Sequence, residues 1–134
     1  MPELVTTVSL WELLKHAATW LRNLNRASKE RKQVSVEAVR DVIKATRVTA
    51  VYMRRLKSKR KRSFDTEIRL SETWTDLGFR LSDLGMNQLA KKCEIKGRHW
   101  ANPDEFEYDF LEKADIKLET MEKTALAILR EITK

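Results

Sequence analysis

Apolar residues recur at three- and four-residue intervals in four stretches of this chain, the period of helices that each bury one face. The first stripe is Leu10, Leu13, Leu14, Ala17, Leu21 and Leu24, widened by Trp11 and Trp20. Ahead of it, Ser9 and Glu12 have the spacing of a capping box, in which the hydroxyl accepts an orphan N–H and the carboxylate reaches back. This predicts a helix over about 10–27. A polar run, 28–33, turns the chain, and Ser35 is the expected cap of a second helix, with Val34 and Val39 placed as a hydrophobic staple. Val36, Val39, Ile43, Thr46, Ala50 and Met53 follow a 3-4-3-4-3 seam, the spacing of near-parallel packed helices. Val48, Val51, Tyr52 and Leu56 lie off that seam and predict a second contact surface on the same helix.

The stretch 63–70 reads as the longest break, with Phe64, Ile68 and Leu70 folding back on the bundle end. Ser71 then caps a third helix carrying Trp74, Leu77, Leu81 and Leu84. Gly78 and Gly85 recur inside two Asp-Leu-Gly triplets within it. Each costs about 1 kcal/mol of helix propensity against alanine, which a close approach of a neighbouring helix, a kink or a partner-binding notch would offset. Gly97 is expected in the left-handed position that ends this helix. Asn102-Pro103-Asp104-Glu105 reads as a strong helix start: a capping side chain, proline in the first turn and two acids at the positive end of the dipole. From there Leu111, Ala114, Leu118, Met121, Ala125, Ile128 and Ile132 keep one seam to the C-terminus, broadened by Phe106, Phe110, Leu126 and Leu129.

Helices over about 10–27, 36–60, 72–96 and 103–132, joined by short connections, imply antiparallel neighbours. The expected fold is all-α, an antiparallel up-down-up-down four-helix bundle, formed as a single domain by residues 1–134. Composition agrees: three glycines and two prolines in 134 residues leave little for the turns of a sandwich or a nucleotide-binding sheet. A single cysteine excludes an intramolecular disulfide, and the sequence has no long apolar run or secretory signal pattern, so the expected protein is intracellular and not membrane-inserted.

The formal charge of +7 is unevenly spread. Residues 1–62 carry a net +11 and the remainder a net −4. Seven cations stand among nine residues, Arg54, Arg55, Lys57, Lys59, Arg60, Lys61 and Arg62, and eight acids against two lysines lie between Asp104 and Glu122. In the expected topology these clusters sit at opposite ends of a rod, since a 25-residue helix spans about 37 Å. Seven cations exceed what a helix dipole needs and would neutralise several phosphates without reading bases. No nucleic-acid recognition motif accompanies them, and interleaved aromatics for base stacking are missing. Lys59 to Arg62 also has the form of a nuclear-localisation stretch in a eukaryotic source.

Chemistry-bearing residues are few. Glu12 and His16 share a helix face but lack the further inward carboxylates of a bundle metal site. Cys93 and His99 match no nucleophile spacing, and no glycine-rich phosphate loop is present. No cofactor, metal or catalytic group is therefore expected. Arg98, His99 and Trp100 place an aromatic beside two potential cations, the composition of an interaction hot spot or of a cap on the core. With Asp104, Glu105, Glu107 and Asp109 they form the candidate partner-binding set. The leading expectation is a non-enzymatic helical protein that binds a nucleic-acid backbone through the basic tract. The alternative is an interaction or scaffolding bundle that self-associates or docks an acidic protein through its oppositely charged ends.

Overall fold

The computed structural model describes residues 26–59, 61–105 and 117–133. Residues 10–25 of the predicted first helix lie outside the described residues, with Ser9, Glu12, His16, Trp11 and Trp20, as do Arg60, Glu107 and Asp109; its last two positions, Arg26 and Ala27, are a turn and a bend. Among the described residues four helices follow one another: α1, Lys29–Lys59; α2, Phe64–Asp83; α3, Asn87–Ala101; and α4, Leu118–Ile132. A 3-10 turn, Pro103–Glu105, follows α3. All regular structure among the described residues is helical. The helices pack as a four-helix bundle, α1 against α2 and α4, and α2 against α3. The expected all-α bundle is the observed class, and the helices predicted over 36–60, 72–96 and 103–132 have other bounds in the structure.

Helix α1 begins seven residues before the predicted start. Ser28 caps it, its Oγ accepting the Arg31 N–H at 3.2 Å. Lys29–Gln33 are good helix formers without an apolar stripe, so periodicity alone reads them as a turn. Ser35, the expected cap, is buried inside the helix and donates back to the Arg31 carbonyl at 2.9 Å. The same inversion occurs at α2. Ser63 takes the cap position, with extended backbone and Oγ accepting the Thr66 N–H at 3.3 Å, so the predicted break at 63–70 is helix. Phe64 and Ile68 there are exposed rather than folded back, and only Leu70 is buried. Ser71, the expected cap, donates to the Gly97 carbonyl of α3 at 2.9 Å.

The predicted helix over 72–96 is two antiparallel helices. Gly85 at φ 85° reverses the chain. Met86 N–H donates to Leu81 O at 2.9 Å and Gly85 N–H to Ser82 O at 3.0 Å, the paired bonds of a Schellman ending. Gly85 therefore has the role predicted for Gly97. Gly97 is helical and buried, in close contact with α2: a Cβ built there would meet the Thr75 hydroxyl, the Thr75 amide nitrogen at 2.9 Å and Ser71 O at 3.2 Å. Gly78 is the reciprocal contact, with Ala90 O and Glu94 N of α3 both at 3.3 Å from a built Cβ. The close-approach reading of Gly78 holds, and the two glycines let α2 and α3 pack nearly backbone to backbone.

The predicted helix over 103–132 is interrupted as well. Asn102 receives the end of α3, its N–H donating to Arg98 O, and Lys117 is extended at φ −62°, ψ 135°, so α4 starts at Leu118. Its seam is as read, with Met121, Ala125 and Ile128 buried. Along α1, Val39, Ile43 and Thr46 of the predicted seam are buried, while Met53 is 41% exposed. The second surface is real but rotated: Val42, Ala45, Thr49 and Tyr52 are buried and Val48 and Val51 are exposed. At the centre Trp74 is fully buried, its Nε1 donating to Thr49 Oγ1 at 3.0 Å. Arg80 to Asp41 at 2.8 Å and Arg47 to Glu122 at 2.9 Å link α2 and α4 to α1 at the surface.

Candidate interaction site at the cationic end of the bundle

The extra reversal at Gly85 decides which residues share an end. Helices α1 and α3 finish, and α2 and α4 begin, at the same end of the bundle. The expected separation of the basic tract from the residues after Asn102 is therefore overturned. Asp104 is close enough to Arg62 to raise the guanidinium's pKa, though less than Glu67 and Tyr52 do. Lys117 and Leu118, at the start of α4, line the same cavity as Arg54 and Lys57.

Tyr52 and Glu67 organise this end. Glu67 is buried, and Arg62 grips it with two bonds, Nη2 to Oε1 at 2.6 Å and Nε to Oε2 at 3.0 Å. Tyr52 Oη donates to Glu67 Oε2 at 2.5 Å and accepts the Ser63 N–H at 2.9 Å. The Arg62 bonds hold the Glu67 carboxyl below its ordinary range even though burial pushes the other way. Burial, with the Glu67 hydrogen bond second, raises the Tyr52 phenol. This cluster ties the α1–α2 connection to the core, so Arg62 is committed within the fold and also lies over the Phe64 ring at 5.5 Å. Sequence reading grouped Arg62 with the binding cations and did not single out Glu67. Ser63-x-x-x-Glu67 beside a basic run was the available signal, hidden because 63–70 read as a break.

The remaining described cations of the tract, Arg54, Arg55, Lys57, Lys59 and Lys61, are exposed, and no ion pair among the described residues engages them. On α3, Arg98 is exposed, His99 is half-buried and Trp100 is 8% exposed. Trp100 meets Tyr52 edge to face, with centroids 5.6 Å apart, and His99 with centroids 5.8 Å apart. Unlike Trp74, its indole Nε1 is buried with no hydrogen-bond partner among the described residues. One turn earlier Lys96 is buried, and that burial lowers its pKa to about 8. Burial, then Lys96, lowers His99 also. Cys93, fully buried deeper in α3, has its thiol pushed up to about 12 by the same desolvation.

Between these elements is a cavity of about 590 Å³. Its α1 wall is Thr49, Ala50, Met53 and Leu56, its α3 wall Lys96, His99 and Trp100, and Pro103 and Leu118 close it. Arg54, Lys57, Arg62 and Lys117 add positive charge, against one carboxylate, that of Glu67, among the described lining residues. The arrangement is an apolar hollow with a cationic border, suited to an anion that carries an apolar group. The sequence offered the tract and Trp100 as separate candidates; in the fold Arg54, Lys57 and Arg62 of the tract line one cavity with Trp100. Among the described residues no cluster of His, Cys, Asp or Glu could hold a metal ion, and no helix is long and apolar enough to cross a membrane. Comparison with protein-family models, curated proteins and solved structures gave no match.

Proposed function

We propose that this chain is a protein-interaction bundle that docks an acidic protein partner at its cationic end. The observation that carries the reading is an apolar hollow whose lining includes Arg54 and Lys57, with the exposed cations Arg55, Lys59 and Lys61 following in the same tract. A nucleic-acid backbone is served by basic surface alone, because phosphates gain from counterion release and have no apolar group to bury. A protein segment supplies both carboxylates and apolar side chains. Docking through opposite charged ends is set aside, since Asp104 and the tract share an end.

The discriminating experiment is fluorescence anisotropy of the full chain with a labelled random copolymer of glutamate and tyrosine, and with a labelled DNA duplex, across a salt series. Docking predicts saturable copolymer binding that weakens modestly with salt, because burial of tyrosine is not screened. It predicts a duplex affinity that falls by about a thousandfold or more between 50 and 200 mM salt if several phosphates are engaged. Copolymer binding that is undetectable at 50 mM salt, or a duplex that alone remains bound at the upper salt limit, refutes the docking reading. The second outcome would favour the nucleic-acid backbone as ligand, a reading supported by the same five exposed cations.

A further inference from the structure

We infer that the outer side of α1 is a self-association surface, on which a second copy of this chain lies antiparallel about a two-fold axis at Val48. The face is apolar at its centre and charged towards both ends. Val48 and Val51 are 58% and 47% exposed, and Val48 lines a hollow of about 350 Å³ between α1 and α2 with Ala45, Leu70 and Leu77. On either side the charges stand at equal distances and have opposite signs. Glu37 and Asp41 precede Val48 by eleven and seven residues, and Arg55 and Lys59 follow it by seven and eleven. At about 100° per residue all four come within about 20° of Val48 around the helix, and about 16.5 and 10.5 Å from it along the axis.

That symmetry selects a second copy as the occupant. A two-fold interface sets residue i against residue j and j against i. With the helices antiparallel and Val48 on the axis, Asp41 meets Arg55 of the second copy and Glu37 meets its Lys59, each contact occurring twice. A parallel pair in register would instead set Glu37 against Glu37 and Lys59 against Lys59. In the single chain Glu37, Arg55 and Lys59 are exposed, and no ion pair among the described residues engages them. Asp41 is held on this side of α1 by Arg80 at 2.8 Å. Val51 of the second copy comes opposite Ala45, beside the hollow, and Lys44 comes opposite the buried Tyr52. The +7 charge of each copy opposes approach at long range, but at about 150 mM salt such repulsion is screened beyond about 8 Å, whereas side chains in contact are not. Arg54 and Lys57, which line the cavity against α3, stand about 120° and 180° around α1 from Val48, so the pairing is independent of the docking reading. One helix pair buries less than a standard interface, which makes the dimer weak, with Kd on the order of 0.1 mM.

The test is sedimentation equilibrium of the full chain at about 150 mM salt, joined to oxidative cross-linking of Val48→Cys and Val34→Cys. The mass of the parent should rise with concentration. Val48→Cys should form a disulfide-linked dimer, because the axis brings its two thiols together. Val34→Cys should not, since its two copies lie about 42 Å apart along the helices. Cys93 is buried and leaves the parent without a cross-link. Added to Val48→Cys, either Glu37→Lys or Lys59→Glu should slow cross-linking about tenfold, as each reverses two contacts, and the two together should restore it. The inference is overturned by a parent that stays monomeric up to about 1 mM, by Val34→Cys cross-linking as fast as Val48→Cys, or by a double reversal as slow as the single ones. A monomer whose thiol at position 48 is shielded from iodoacetamide also overturns it, and assigns the face to another segment of the same chain. If one charge reversal fails to fold, as read by circular dichroism, the other reversal and the two cysteine variants decide.

Discussion

Alanine at three glycines should give three different results, because each glycine meets a different constraint. In a free helix the substitution gains about 1 kcal/mol of propensity. At Gly97 the new methyl would fall on the Thr75 hydroxyl and within 2.9 Å of the Thr75 amide nitrogen, with Ser71 O at 3.2 Å. Backbone cannot move aside locally, so α2 and α3 must separate, an overpacking cost of about 1–3 kcal/mol. The Ser71 hydroxyl bond to Gly97 O at 2.9 Å is strained by the same movement, at a further ~1 kcal/mol. Net destabilisation of about 1–3 kcal/mol is expected after subtracting the propensity gain. At Gly78 the nearest atoms stand at 3.3 Å, and a shift of a few tenths of an ångström suffices. Propensity and crowding then nearly cancel, within about 0.5 kcal/mol of the parent. At Gly85 space is not the issue: φ of 85° costs an L-residue about 1–2 kcal/mol wherever its side chain points. Urea denaturation followed by circular dichroism at fixed pH measures all three. The order of stability should be Gly78→Ala close to parent, then Gly85→Ala and Gly97→Ala clearly below it. A Gly97→Ala chain as stable as the parent would refute the close packing of α2 on α3 from which the values are derived.

Other outcomes follow from the buried polar groups. Glu67→Gln, which keeps shape but discharges the Arg62 grip, should cost about 1–3 kcal/mol at neutral pH. Because the fold lowers the Glu67 pKa from its ordinary 4.5, that contribution is present above 4.5 and lost as pH falls through the lowered value. Parent and variant melting curves should therefore converge as the pH falls through the lowered value; a gap that does not narrow anywhere below pH 4.5 would count against the ion pair. Cys93, buried with its thiol near 12 rather than 9.0, should resist iodoacetamide at pH 8 by about a thousandfold or more in the native chain and react readily in denaturing urea, as read by mass spectrometry. Lys96, lowered from 10.5 to about 8, favours its neutral form in the fold. The stability of the parent relative to Lys96→Met should rise as pH climbs from about 8 to 10.5, by at most about 1.4 kcal/mol per unit. A flat difference in thermal melts over that window would show that Lys96 is not desolvated.

Helix positions with strong apolar periodicity were legible in the sequence. Val39, Ile43 and Thr46 on α1, Trp74, Leu77 and Leu81 on α2, and Met121, Ala125 and Ile128 on α4 are buried on the faces their spacing assigns. Boundaries were not, and the errors share a cause. Polar helix formers at 29–33 and exposed apolar residues at 64 and 68 produce no stripe, so serines inside helices, Ser35 and Ser71, looked like caps. The same residue type at Ser28 and Ser63 does the capping, and only the backbone hydrogen-bond partners distinguish the two. Of the candidate site, the basic tract and the Arg98-His99-Trp100 triplet were visible as compositions. Their meeting in space was not.

What the sequence by itself determined is the helical class, the apolar faces and the placement of seven cations after Met53, since these depend on residue type and on spacing within a few turns. What only the tertiary structure decided is which of Gly78, Gly85 and Gly97 reverses the chain. An Asp-Leu-Gly triplet occurs at both Gly78 and Gly85, and its local signal is nearly the same. The outcome rests on long-range packing: α3 must lie along α2 for Gly97 to meet Ser71 and Thr75, and for Gly78 to meet Ala90 and Glu94. That reversal delivers Trp100 to Tyr52 and creates the cavity. A local pattern cannot encode it, because the energy that selects it comes from residues about 20 positions apart and is gained only when the two helices touch.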